Sequence, residues 1–248
     1  MLEWIRSLFS SAPVCPVNDE EREWLEERFE WLIEEFGLER LRSGKTVLPT
    51  TEFFPSNWRG TEDDIHKILL VVARHMDVDP DYVRVTFYSE GPAPIEGMAR
   101  EGSLGTYSES EDYGFYDIRI NTDALDDPLG IVSTMAHELG HVRLLGEERI
   151  WAEAPDHEPL TDLTTVFFGL GILRANSVIR QKSVGAGSSL SRSGYLSMNM
   201  LGYALALYAL ARNETNPTWL KHLRPDVRYA CRNTIRLKLE GESNLQGT

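Results

Sequence analysis

The sequence predicts an α+β protein with a small mixed sheet followed by a mainly helical C-terminal part, and three observations carry that expectation. Apolar residues recur at helical spacing in segments 19–36, 61–76, 126–145, 158–175, 197–212 and 225–239. Short runs rich in β-branched and aromatic residues fall at 46–54, 82–89, 105–107 and 116–121. Strand signals therefore end before residue 122 and helical signals dominate afterwards, the order of a fold in which helices and strands are segregated.

From Asp19 to Phe36, residues Trp24, Leu25, Phe29, Leu32, Ile33 and Phe36 share one face and glutamates fill the others. That is an acidic amphipathic helix, stopped by Gly37. Its apolar stripe is expected to pack on the main body, with a partner-binding helix as the alternative. Thr46 to Phe54 reads as a short strand ended by Pro55. Thr61-Glu62-Asp63-Asp64 is a capping-box signature, and Ile65, Ile68, Leu69, Val72 and Met76 follow at helical period. Tyr82 to Ser89 alternates Val83, Val85 and Phe87 with polar residues. A loop with Gly and Pro separates it from strands at 105–107 and 116–121.

Asp126 or Asp127, with Pro128 in the first turn, starts a helix that runs through His137 to Leu145 and stops at Gly146. Another is expected from Glu158 to Ala175. Ser183 to Gly194 is Gly/Ser-rich without apolar period, so it reads as a mobile loop, either lid or linker. Two further helices close the chain.

Composition narrows the class. A net charge of −14 argues against a nucleic-acid partner or an anionic membrane surface, both of which call for a basic face. Cys15 and Cys231 are far apart and neither belongs to a CxxC pair, so free thiols in a reducing compartment are expected. Glu3 and Arg6 interrupt the apolar N-terminus where a secretory signal needs continuity, which makes the expected location cytoplasmic. The apolar stretches 166–173 and 200–211 fall well short of the roughly 20 residues of a membrane span.

The chemistry lies in Met135-Ala136-His137-Glu138-Leu139-Gly140-His141. Histidines four apart project from one helical face about a turn from each other, the spacing that suits ligation of a single tetrahedral zinc. Glu138 stands beside the first ligand, within reach of a water activated there. Two histidines hold zinc weakly, so a third protein ligand is required. The metzincin continuation is absent, because Leu144 and Glu147 occupy its glycine and histidine positions. In His157-Glu158-Pro159-Leu160-Thr161-Asp162 the carboxylates Glu158 and Asp162 lie four apart on the next helix. One of them can bind metal while the other accepts a ligand histidine's N–H. Neighbouring His157 is a competing ligand, and His66 and His75, on the 61–76 helix without a carboxylate-rich motif, read as structural.

On His137, Glu138, His141, Glu158 and Asp162 the chain resembles the gluzincins, the thermolysin-like class of HExxH metallopeptidases. The resemblance covers about 30 residues and implies a zincin-like fold. In it His137, His141 and Glu158 hold a single Zn2+, Glu138 is the catalytic base and Asp162 orients a histidine. It also implies a small mixed sheet above the active helix, whose edge strand pairs with an extended peptide or protein substrate; Tyr107 is a candidate for that edge. His157 stands where the class often has asparagine, and the interval from His141 to Glu158 is short for the class. Related enzymes supply an oxyanion donor from the region after the third ligand, where this chain offers Tyr195, Tyr203, His222 and Arg224, with Tyr195 preferred. The expected organisation is a segment 1–44 carrying the acidic helix and a zincin-like metallohydrolase domain 45–248. The expected function is a zinc-dependent amide hydrolase. The alternative is a catalytically silent zincin-like binding or regulatory protein.

Overall fold

A computed structural model describes residues 13–54, 57–88, 105–109, 115–122, 125–177, 179–184, 187–192 and 195–246. The first elements among the described residues are α1 (Asp19–Phe36), capped by Asn18 in a capping box, and α2 (Leu38–Ser43). Leu25, Phe29 and Leu32 of α1 are buried in the common hydrophobic core, so its apolar stripe is packed against the body of the protein. This removes the main support for a partner-binding helix. Next comes α3 (Glu62–Met76), whose Thr61 side chain accepts from the Asp64 N–H as the capping box predicts. Pro80–Tyr82 forms a 3-10 turn before the sheet.

The sheet contains β1 (Val83–Tyr88), β2 (Gly105–Glu109) and β3 (Tyr116–Asn121) in the order β1-β3-β2. β3 pairs parallel with β1 and antiparallel with β2, so the sheet is mixed and β2, which includes Tyr107, is an edge. Ile118 and Ile120 of β3 turn to one face and are fully buried.

Beneath them lies α4 (Pro128–His141), with Asp127 as N-cap and Pro128 in the first turn. Every residue from Gly130 to His141 is buried, as expected of a helix that is apolar around most of its circumference. It ends in a π-helical turn, Val142–Gly146. Then follow α5 (His157–Phe167), α6 (Gly171–Ser177), a hairpin of β4 (Ile179–Val184) and β5 (Gly187–Arg192), α7 (Met198–Ala211), a 3-10 turn (Thr218–His222) and α8 (Pro225–Gln246). The α7 and α8 helices pack on each other, and α4 touches α3, α5, α6 and the sheet. The architecture is α+β and mostly helical. Among the described residues no helix is long and apolar enough to cross a membrane.

Three expectations are corrected. Thr46–Phe54 is not a strand: Val47 donates to Gly169, and Phe53 and Phe54 turn back to the Thr50 carbonyl. Pro49 lacks a ladder donor, which weakens the segment as a strand. The helix expected over 158–175 is two helices, because Gly169 adopts φ +85° and a Cβ there would lie 2.5 Å from the Lys45 carbonyl oxygen. The segment 183–194, expected as a loop, contributes the end of β4 and the whole of β5, which pair antiparallel.

Gly140 marks a close approach of α4 to α5. A Cβ at that position would stand 2.8 Å from Thr161 Cγ2 and 3.3 Å from its carbonyl oxygen. Gly140→Ala is therefore expected to lower stability by about 1–3 kcal/mol through overpacking, read by chemical denaturation. An unchanged midpoint would show that the two helices separate freely here.

Candidate metal centre

Helix α4 carries His137, Glu138 and His141, and its two histidines face the N-terminal turn of α5. Glu158 lies in that turn, immediately after His157. One ligand atom each from His137, His141 and Glu158 fall within 4.8 Å of one another. His137 Nε2 is 3.1 Å and His141 Nε2 3.5 Å from the same Glu158 oxygen, Oε2. The two imidazole rings stand nearly perpendicular, with centroids 4.8 Å apart.

The other ring nitrogens decide what these atoms offer. Asp162 Oδ1 accepts from His137 Nδ1 at 2.9 Å. Thr161 gives its own hydroxyl proton to the His157 carbonyl at 2.7 Å, so its oxygen accepts from His141 Nδ1 at 3.3 Å. With both Nδ1 atoms acting as donors, the Nε2 of each ring is the atom left facing the Glu158 carboxylate, and His137 Nε2 lies within hydrogen-bond distance of it. Two imidazole nitrogens and a carboxylate oxygen gathered in a mostly buried pocket form a group able to hold a cation. A proton on His137 serves its contact with Glu158, and a metal ion in its place would engage all three atoms. The donor set, two imidazoles and a carboxylate, suits zinc.

The electrostatics follow from the same contacts. Burial opposes protonation of His137, but the carboxylates of Asp162 and Glu158 outweigh it and raise its pKa to about 9. Burial likewise opposes ionisation of Glu158 and Asp162. For Glu158 the two histidines prevail, and for Asp162 the Arg174 charge and His137 do, so both carboxyls lie well below their usual range. Glu138 behaves in the opposite way, as burial pushes its pKa up. A carboxylate that holds a proton more readily than usual is suited to proton transfer.

Asp162 is the hub behind His137. It is fully buried, and besides His137 it receives Arg174 Nη2 at 2.5 Å and the backbone N–H groups of Tyr195 and Leu196 at 2.8 and 3.2 Å. Arg174, itself buried on α6, donates through Nη1 to Ser133 Oγ on α4 at 3.1 Å. Thr161, Arg174 and Ser133 were not anticipated from the sequence. A signal for Arg174 existed, since it is a lone charge within an apolar run, and such a charge is rarely buried unless paired.

The candidate oxyanion donors separate. Tyr195 lies at the site: its ring stacks on His137 at 5.7 Å between centroids with a 16° interplanar angle. Tyr203 does not serve, because it is buried in the core and its hydroxyl is committed to Glu26, which also pairs with Lys238. His222 and Arg224 are engaged with Asn176 through their backbones, and the Arg224 guanidinium pairs with Asp226, so neither is brought to the histidine cluster by these contacts. His157 flanks the cluster: Nδ1 donates to the Ala154 carbonyl, and Nε2 lies 3.6 Å from Glu158 Oε1. His66 is exposed on α3, His75 packs against the Phe53 ring at 5.8 Å between centroids, and neither belongs to the potential metal-holding group found among the described residues. No family model, curated protein or solved structure matches the chain.

Proposed function

We propose that the protein is a single-zinc hydrolase of amide bonds, a metallopeptidase of zincin-like build, with His137, His141 and Glu158 as ligands and Glu138 as general base. The observation that carries this reading is the convergence of two Nε2 atoms and a carboxylate oxygen while both Nδ1 atoms are already engaged as donors. A zinc ion bound there supplies Lewis acidity, which acidifies water and polarises a carbonyl oxygen. Glu138, adjacent in sequence to His137 and buried, takes a proton from the attacking water and returns it to the leaving amine. Asp162 and Thr161 hold the two imidazoles in the orientation that aims Nε2 inward. The Tyr195 ring lies over His137, where its hydroxyl is the favoured donor to an oxyanion. Strand β2, next to α4, is paired on one side with β3 and is an edge among the described residues, where an extended peptide could add.

Glu138→Gln separates a hydrolase from a silent zinc-binding protein. Zinc-loaded wild type and variant are compared on a peptide library, with metal content measured on the same samples. The expected result is a loss of roughly 10²- to 10⁴-fold in turnover with zinc retained. A zinc-loaded wild type that cleaves nothing, or a variant as active as wild type, would count against the enzymatic reading.

A further inference from the structure

The short chain between His141 and Glu158 lies against one side of α1, and two polar contacts tie it there. At one end, Asp156 Oδ2 accepts from both Trp24 Nε1 at 2.8 Å and Arg28 Nε at 2.7 Å. At the other, Arg149 Nη1 reaches Glu35 Oε2 at 2.7 Å, and its guanidinium sits 4.5 Å from the centroid of the Phe36 ring. Trp24, Arg28 and Glu35 follow helical spacing on α1, so one rigid element spans both ties. Asp156 occupies the N-cap position of α5, two residues before Glu158, yet its side chain makes no capping bond to its own helix. Its carboxylate is given to α1 instead.

We infer that α1 is a splint for the metal site: Trp24 and Arg28 act as positioning residues that, through Asp156, set where Glu158 enters the cluster. Glu158 is the least buried of the three ligands, and it lies in the first turn of its helix, where backbone fraying is greatest. His137 and His141 have Asp162 and Thr161 behind them, whereas before Glu158 the chain is tied locally through His157 and to a distant element through Asp156 on α1. The N-terminal acidic helix thus acquires a function in the chemistry without touching substrate. This inference rests on the zinc-site reading above.

The test uses the full chain, with zinc affinity measured by chelator competition and ligand geometry by the visible absorption of the cobalt-substituted protein. Trp24→Phe keeps an aromatic ring at the position and removes the N–H donor together with part of the indole; Arg28→Gln removes the charge; Arg22→Gln, at an exposed pair with Asp19, is the control. Trp24→Phe and Arg28→Gln are each expected to weaken zinc binding by about tenfold and to shift the cobalt bands. Arg28→Lys should recover part of the loss, and the control should match wild type. If the variants lower only thermal stability, with zinc affinity and cobalt spectrum unchanged, the splint is overturned while the zinc site stands. A wild type that binds neither metal would overturn both.

Discussion

Replacing Asp162 with alanine is expected to cost about 3–5 kcal/mol of folding stability and most of the zinc affinity. The carboxylate is fully buried and is the meeting point of His137, the Arg174 guanidinium and two backbone N–H groups from the segment that carries Tyr195. Its loss strands a buried arginine that, among the described residues, keeps Ser133 as its side-chain hydrogen-bond partner, with Arg174 Nε already lacking one. It also frees the His137 ring to rotate and releases the chain at Tyr195. Asp162→Asn should be milder in stability, since shape is retained, but should still weaken metal binding because one donor must give way. Chemical denaturation of the metal-free variants reads the first effect and chelator competition the second. Wild-type stability in Asp162→Ala would mean that the buried network carries little of the fold.

Zinc affinity is expected to rise steeply with pH between 7 and 9. The folded-state pKa of His137 is raised to about 9. The stability contributed by its proton is therefore fully present below the ordinary value near 6.5 and is lost as pH rises through 9. Zinc competes for the same Nε2, so each bound ion displaces that proton over this window. Apparent affinity should climb roughly tenfold per pH unit and level off above 9. Glu158 and Asp162 act in the opposite sense. Their depressed pKa values contribute stability above the usual carboxylate range, and that contribution is lost on acidification. Competition titrations at stepped pH check the window, and a flat profile would contradict the contacts assigned to His137.

Much of this site is legible in the chain because it is local. His137, Glu138 and His141 are fixed by one helical turn, and Glu158 and Asp162 by the next helix at the same spacing. Helices 19–36 and 61–76 carry their own caps, so their ends fall within a residue of expectation. What was missed depends on contacts distant in sequence. Arg174 reaches Asp162 only because Gly169 breaks the helix and turns α6 back along α4. Thr161 supports His141 only because Gly140 lets α4 and α5 approach. The strand at 46–54 failed for the converse reason: local β propensity yielded to a turn anchored by Gly169 and Tyr208. Tyr203 shows how a polar tip in an apolar helix can belong to a core pair with Glu26 rather than to a pocket.

The most direct test of the zinc site is elemental analysis of purified protein after reconstitution, wild type beside Glu158→Ala. Wild type should hold one zinc per chain, and Glu158→Ala should lose it on dialysis while keeping its helical content. No zinc in the wild type, or equal retention in Glu158→Ala, would contradict the assignment of His137, His141 and Glu158 as a metal centre.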